Sequence, residues 1–266
     1  MGKYITCYIM GIQKALEYRF DFFVGYIGAV FPIFIQISMW SAIYGATNDG
    51  MIFGYTYQQM ILYTFFVGVI GRFLSTGFEY EMNEDIKNGG LNKFIVKPLN
   101  YCVYRAFCFL GERTAVLSGF LLILCILMIC FGIMGYFSIT IWKVVLFFFS
   151  LLLALLLNFG VYFCIGISGF WLTEVSRIFP AISIILTIVS GGIFPTDIFG
   201  ESFQWVFQYL PFKYMTQFPV DILTGKMYEG SAAAGLGIQL LWVIFFLLVS
   251  RALWQQGLRK YVAVGG

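Results

Sequence analysis

The sequence predicts an all-α polytopic membrane protein with six transmembrane helices. Of its 266 residues, 61% are hydrophobic and 11% are charged, whereas a soluble domain carries roughly 25% charged residues. Several apolar runs reach the length of about 20 residues that a helix needs to cross a bilayer. Lysines and arginines are distributed unevenly between the segments that connect these runs. These observations define the class and the orientation, and we interpret residues 1–266 as a single domain.

Residues 1–21 are predicted to form an interfacial helix before the first span. Recurrence at steps of three and four residues places one set on a single helix face: Lys3, Cys7, Met10, Lys14, Glu17 and Asp21. The opposite face is apolar and comprises Ile5, Ile9, Ile12, Leu16 and Phe20. Such a helix lies in the membrane plane with its lysines toward the headgroups. A solvated helix is the less favoured alternative, because it would leave large apolar side chains in water.

Six apolar runs follow, and each is predicted to span the bilayer. They cover residues 22–44, 57–78, 114–134, 141–172, 179–194 and 232–254. The fourth run is too long for one perpendicular helix, so it is expected to tilt or to extend beyond the bilayer. The fifth is short, which fits a helix that ends early and passes directly into the segment after it.

The orientation follows from the excess of basic residues on the cytoplasmic side of membrane proteins. If both termini are cytoplasmic, the inner segments hold thirteen of the sixteen lysines and arginines. The outer segments hold only Lys143, Lys213 and Lys226. We therefore place both termini in the cytoplasm. The net charge of +3 is too small to indicate a nucleic-acid partner.

Residues 79–100, between the second and third spans, are predicted to form a short cytoplasmic helix. Glu79, Glu81, Glu84 and Asp85 come first, and Lys87 precedes two glycines. Acids at the start, a lysine in the last turn and glycine beyond it are the preferred order for helix ends. The mixture of apolar and basic residues that follows is compatible with two roles. The segment either rests on lipid headgroups or docks to a soluble partner.

Residues 195–230, between the fifth and sixth spans, are predicted to form a re-entrant helical hairpin on the outer side. The segment holds three of the six prolines, at 195, 211 and 219. Residues 198–210 are aromatic on one helix side and polar on the other. Irregular backbone at membrane depth requires protein or water to satisfy its polar groups. A hairpin that dips into the outer leaflet and returns meets that requirement.

Several patterns that would indicate chemistry are incomplete or absent in the sequence. The six cysteines show no CxxC spacing and there is no histidine, so no metal or disulfide site is expected. Gly225-Lys226 lacks the glycine that a phosphate-binding loop needs at Val220 and the hydroxyl it needs at Met227. We interpret it as a helix end followed by a turn, assign no catalytic residue and expect no cofactor in this chain.

Polar residues inside the apolar runs are few. Glu174 and Arg177 are three residues apart and are predicted to form an ion pair on one helix face. Asn158 is predicted to make an interhelical hydrogen bond. The scarcity of intramembrane acids argues against an ion-driven transporter.

Four motifs occur in order along the chain. They are LEYRFDF at 16–22 with MW at 39–40, EDIKNGGL at 84–91 through KPLN at 97–100, GGIFP at 191–195, and LPFKY at 210–214 with FP at 218–219 and GK at 225–226. Together they resemble the membrane subunit of ABC-2-type transporters, in a bacterial and archaeal subgroup with short six-span permeases. The resemblance covers essentially the whole chain.

The resemblance implies a permease of the bacterial cytoplasmic membrane that dimerises with a second copy or a paralogous permease. Each copy receives a separate ABC ATPase subunit, which binds ATP and Mg²⁺, so this chain is not expected to be an enzyme. The cargo is expected to be a hydrophobic or amphipathic compound, such as a drug, a peptide or a lipid-like molecule. An ATP-independent channel, or a membrane assembly or anchoring protein, is the alternative from another class.

The resemblance also implies two sets of functional residues. The segment after the second span acts as a coupling helix, and its expected contacts with the ATPase are Glu84, Asp85, Ile86, Leu91 and Phe94. Its apolar residues would fill a groove and its acids would pair with bases at the rim. The cargo path lies along the second and fifth spans, with the gate and lining candidates Phe194, Pro195, Phe65, Phe66, Phe73, Ile184 and Ile188. The alternative, that these side chains face lipid or the subunit core, stays open.

Overall fold

The computed structural model describes residues 2–17, 19–47, 50–95, 99–135, 140–172, 174–227 and 229–261. The described part is a helical bundle without a β-sheet. Its α-helices are α1 Gly2–Glu17, α2 Arg19–Ala46, α3 Tyr57–Leu74, α4 Phe78–Lys87, α5 Asn92–Ile95, α6 Tyr101–Ile133, α7 Ile141–Ile167, α8 Phe179–Val189, α9 Glu201–Phe207, α10 Gln217–Thr224 and α11 Glu229–Lys260.

Four stretches of the described chain are long and apolar enough to cross a membrane. They are Tyr57–Lys87, Tyr101–Ile133, Ile141–Phe170 and Gly230–Lys260. These correspond to the second, third, fourth and sixth predicted spans. The first and fifth predicted spans correspond to the shorter apolar helices Val30–Ala46 and Phe179–Val189. The all-helical class is therefore confirmed, while the count of six spans stays a prediction.

Three helix boundaries differ from the prediction. The third span was expected to begin at 114, but α6 begins at Tyr101, where the Asn100 side chain caps it by accepting from Val103 N (3.3 Å). The fourth was expected to run to 172, but α7 ends at Ile167 and 3-10 turns follow. The fifth ends at Val189, before a backbone reversal at Gly191.

The central helix of the bundle is α7. Of its most apolar window 67% is buried inside the protein, against 17% for α6 and 28% for α11. It packs against α11, α10 and α4. A Cβ at Gly160 would lie only 2.9 Å from Phe246 Cβ of α11, so the glycine permits this close approach. Small residues at such crossings are the usual means of close packing between membrane helices.

The predicted N-terminal helix is present as α1, and its packing corrects one detail. Gly11 and Gly111 bring the backbones of α1 and α6 into direct contact. Lys14, expected to face headgroups, instead pairs with Glu81 of α4 and with Glu112 of α6 (2.9 Å). Burial lowers the Lys14 pKa, but the hydrogen bonds to both carboxylates outweigh it and raise that pKa. Ile5, Ile9 and Leu16 remain exposed, as the predicted apolar face requires.

Candidate functional site

Residues 195–230, which are predicted to lie on the outer side and are hereafter the outer segment, fold back so that the second half of this segment enters the bundle. Every residue of α10 from Gln217 to Leu223 is buried, and α10 contacts α7 and α3. The preceding helix, α9, is short and carries the exposed Phe203 and Trp205. The segment is thus two short helices of opposite exposure, joined by Pro211 and a 3-10 turn at Lys213–Met215.

Side chains from the long helices satisfy the irregular backbone of this segment. Asn158 of α7 donates to Met215 O (3.0 Å), and Gln239 of α11 donates to Tyr214 O (3.0 Å). Tyr63 of α3 donates to Gly191 O (2.5 Å). Backbone groups freed from helical bonding therefore find partners in protein, as membrane depth would demand. The hydrogen bond predicted for Asn158 is confirmed, with a backbone partner in the outer segment.

A cluster of polar and charged side chains joins the first half of the outer segment to its second half. Asp197 pairs with Lys226 and accepts hydrogen bonds from Tyr55 (2.8 Å) and Gln217 (3.3 Å). The Lys226 ammonium also lies 3.5 Å from the centroid of the Tyr55 ring. Burial raises the pKa of Asp197, but the Lys226 charge and these hydrogen bonds outweigh it and lower that pKa. The cluster therefore connects the loop between α2 and α3 to both halves of the outer segment.

Asp221 of α10 is the second acid of this cluster and is more deeply buried. Its Oδ2 accepts from Gln217 (3.1 Å) and lies 3.9 Å from Lys213 Nζ. Its Oδ1 is buried and has no hydrogen-bond partner among the described residues. Burial raises the pKa of Asp221 to about 6, and the partial compensation by Lys213 and Lys226 does not cancel the shift.

Gly225-Lys226 has the role predicted for it. Gly225 is the C-cap residue of α10, with φ +75° in the left-handed region that favours glycine. A Cβ there would lie 2.9 Å from Lys143 Nζ. Lys226 follows as the ion partner of Asp197. The pair is a helix end followed by a turn, as expected.

Below the outer segment, α3 and α8 flank a cavity of about 340 Å³. Its α8 wall carries Ser183, Thr187 and Ser190, and its α3 wall carries Gly68 and Gly71. Asn158 and Tyr162 of α7 form the back, and Thr216 belongs to the end nearest the outer segment. Hydroxyl and amide groups share the lining with apolar side chains such as Val67, Leu186 and Met215. Small-molecule sites in proteins begin at about this volume.

Two charged side chains also line this cavity, Arg72 at the end of α3 and Glu79 in the first turn of α4. Glu79 is 3% exposed, and its Oε2 accepts no hydrogen bond from the described residues. The break between α3 and α4, at residues 75–77, brings both charges to the same cavity. The cavity is therefore amphipathic and has a charged inner end.

The sequence analysis missed these residues, although the sequence contains a signal for them. Ser183, Thr187 and Ser190 follow at steps of four and three, which places them on one face of the otherwise apolar α8. The cavity lies between the second and fifth predicted spans, and the passage of cargo along them stays a prediction.

The predicted lining residues do not line this cavity, and the structure does not bring them together. Phe65 and Phe66 contact Phe131 of α6, at 5.3 and 6.2 Å between ring centroids. Phe73 stacks on Phe120 of α6 at 4.2 Å. Ile184 is exposed on α8, and Ile188 is half-buried. The open alternative, core packing or an exposed face, describes these positions.

The predicted gate residues lie elsewhere, against α2. Phe194 packs edge-on against the buried Trp40, with 6.0 Å between ring centroids. Pro195 is buried beside it. Phe194 therefore joins the outer segment to the end of α2, and its role as a gate stays a prediction.

The predicted coupling residues divide into a buried and an outward-facing group. Ile86, Leu91 and Phe94 are buried in the core of this chain, at 5%, 1% and 9% exposure. Their side chains are therefore not available to fill a groove in another protein. Glu84 is exposed, whereas Asp85 is bound within the chain.

An ion network holds α4 to α6 on the predicted cytoplasmic side. Arg105 of α6 pairs with Glu81 and Asp85, both at 2.5 Å. Tyr101 donates to Asp85 (2.7 Å) and accepts from Arg105 Nε (2.8 Å). This network fixes the segment that the sequence assigns to coupling. The predicted Glu174–Arg177 ion pair is also confirmed, at 2.9 Å in an exposed 3-10 turn.

Comparison with protein families matches this architecture to one of them. A family model described as ABC-2 family transporter protein matches residues 30–265. No curated protein and no solved structure matches the chain significantly. The family match covers α3 to α11, including the cavity, the ion network and the outer segment. The chain belongs to the ABC-2 transporter family of membrane permeases.

Proposed function

We propose that this chain is the permease subunit of an ATP-driven exporter in the bacterial cytoplasmic membrane. It moves a hydrophobic or amphipathic compound outward, and separate ABC ATPase subunits bind ATP and Mg²⁺. The observation that carries the proposal is the amphipathic cavity between α3 and α8 in a chain of the ABC-2 transporter family. A cavity lined by hydroxyl groups within an apolar bundle gives a polar cargo group a place inside the membrane.

The permease acts as a dimer with a second copy or a paralogous permease. Large side chains on α2 are exposed, among them Phe31 (69%) and Phe34 (65%), and on α8 Ile184 and Ile185 are exposed at 59%. Lipid or a second permease covers such faces. The expected seam runs along α2 and α8, so the cavity beside α8 lies close to the dimer axis and its cargo can pass between the subunits.

Coupling to the ATPase runs through the segment from α4 to α5. The buried Ile86, Leu91 and Phe94 anchor this segment in the bundle, while Glu84 and Asn88 are exposed and present its polar face to the partner. The ion network around Arg105 ties the same segment to α6. A push from the ATPase on α4 is thereby transmitted to α6 and to the inner end of the cavity at Glu79.

The test compares outward-facing and buried residues of this segment by co-purification with the ATPase. The double variant Glu84→Lys/Asn88→Lys is expected to reduce the amount of co-purified ATPase at least tenfold, because it reverses the charge of the contact face. Its thermal stability should equal that of wild type. Glu17→Lys, a charge reversal on the exposed end of α1, is the control and should change neither quantity.

Leu91→Ala should lower thermal stability and ATPase association together, because a buried anchor is lost. Wild-type amounts of ATPase on the double variant would overturn the assignment of the contact face. Failure of the wild-type chain to bind any ABC ATPase of its host would overturn the proposed function itself.

A further inference from the structure

Glu79 of α4 is a buried carboxylate in the wall of the cavity. It is 3% exposed. Its position is fixed because α4 packs closely on α7, where a Cβ at Gly166 would lie 3.4 Å from Glu79 Cα. The Glu79 Oε2 and Thr76 Oγ1 atoms are both buried in the cavity wall and lie close enough to each other to interact, but neither has a hydrogen bond of normal geometry from the described residues.

The other charges near the cavity do not neutralise Glu79 by direct contact. Arg72 shares the cavity, but its guanidinium lies against the backbone of α2 at Gly25. Arg113 donates to Phe73 O (3.1 Å), and its positive charge acts electrostatically on Glu79. Among the described residues, neither Arg72 nor Glu79 forms an ion pair. Glu81 and Asp85, on the same helix, are both paired with Arg105.

A buried carboxylate oxygen without a donor is unfavourable, and an opposite charge in the cavity removes that cost. The remaining lining suits the same ligand. Ser183, Thr187 and Ser190 offer hydroxyl oxygens to the N–H groups of a cation. Val67, Leu186 and Met215 offer apolar contact to the body that carries it.

We propose that this cavity binds the ammonium or guanidinium group of an amphipathic cargo, with Glu79 as its counter-ion and Thr76 as a neighbouring acceptor. The proposal rests on the proposed function, since the bound molecule is the transported one. It narrows the cargo class from any amphipathic compound to an organic cation.

The test measures binding of the fluorescent cation rhodamine 6G to the full chain in lipid nanodiscs, by fluorescence anisotropy against empty nanodiscs. Glu79→Gln is expected to raise Kd at least tenfold, because it removes the counter-ion at nearly constant shape. Glu84→Gln, on the exposed side of the same helix, is the matched control and should leave Kd unchanged. Arg72→Gln should lower Kd, because it removes a like charge from the same cavity.

The opposite effects of Glu79→Gln and Arg72→Gln separate charge recognition from loss of shape. Wild-type Kd for Glu79→Gln, equal weakening by both variants, or equally tight binding of the anion fluorescein would each overturn the proposal. If Glu79→Gln fails to fold, Glu79→Asp keeps the charge and should retain a Kd within a few fold of wild type; loss of binding in a folded Glu79→Asp also overturns it. Continued ATPase co-purification alongside a negative binding result would reject the cation site and leave the permease function standing.

Discussion

The outer cluster around Asp197 and the inner cavity around Glu79 each contain an enclosed acid, but the two acids differ in the partners that they have within the chain. In the outer cluster the acid accepts from a lysine, a tyrosine and a glutamine, and it joins three segments of the chain. In the cavity the acid is more deeply enclosed but accepts no hydrogen bond through Oε2 from the described residues. The outer charges stabilise the fold, whereas the inner charge is available to a ligand. The predictions below test this contrast.

The largest expected effect is on stability, from Asp197→Ala. It removes the partner of Lys226 and the acceptor of Tyr55 together, and because Lys226 is partly exposed the loss should lie below the about 3–5 kcal/mol that breaking a fully buried pair costs. We expect a clear fall in the midpoint of thermal unfolding at pH 7 in detergent. Glu174→Ala, which breaks an exposed pair, should lower it only slightly.

The same comparison has a pH dependence. Since the folded pKa of Asp197 is lowered, its stabilising contribution is present above the unfolded pKa and is lost as the pH falls through the folded pKa. The destabilisation by Asp197→Ala should therefore shrink in acid. An equal loss of stability at neutral and at strongly acidic pH would show that the aspartate acts through packing and not through charge.

A smaller effect of opposite sign is expected from Asp221→Asn. Because the folded pKa of Asp221 is raised to about 6 from 3.8, the folded state binds its proton more tightly than the unfolded state. Stability of the wild type should therefore fall as the pH rises from about 4 to about 6, and the cost persists above that. The asparagine amide removes the buried charge. We therefore expect the free energy of unfolding to rise by about 1–3 kcal/mol at pH 7, since a pKa shift of one unit corresponds to about 1.4 kcal/mol.

This gain should vanish below about pH 3, where the wild-type carboxyl is protonated in both states. Thermal unfolding midpoints of wild type and Asp221→Asn between about pH 3 and pH 8 check it. A variant that is less stable than wild type at pH 7 would mean that the Lys213 interaction outweighs the burial of the charge.

The sequence predicts where the helices lie along the chain, but not which face of each helix is buried. Apolar length predicted six spans, four of which are long apolar helices in the structure, and the order of acids, lysine and glycine predicted α4. In a chain that is 61% hydrophobic, however, lipid-facing and core-facing residues look alike, because lipid is as apolar as the core. Leu91 and Phe94 were therefore assigned to a partner although they are buried, and Phe65 and Phe73 were assigned to a path although they pack on α6.

Ion pairs between residues that are distant in sequence could not be predicted either. Asp197 and Lys226, or Asp85 and Arg105, are brought together only by the fold, and no short spacing marks them. The polar residues of α8 were a readable signal, since Ser183, Thr187 and Ser190 interrupt an apolar helix on one face. In an apolar chain the positions of polar residues locate the site better than the positions of large apolar ones.

The most direct test of the central claim, that cargo moves through the cavity between α3 and α8, is the accessibility of Thr187 during the ATPase cycle. A single cysteine at Thr187 in a cysteine-free background is labelled with a membrane-impermeant maleimide in the permease–ATPase complex. The account predicts labelling from the cytoplasmic side in the resting complex and from the outer side with ATP and vanadate, while Ile185→Cys on the exposed face of α8 shows no such change. Accessibility of Thr187→Cys from the same side, at the same rate, with and without ATP would contradict it.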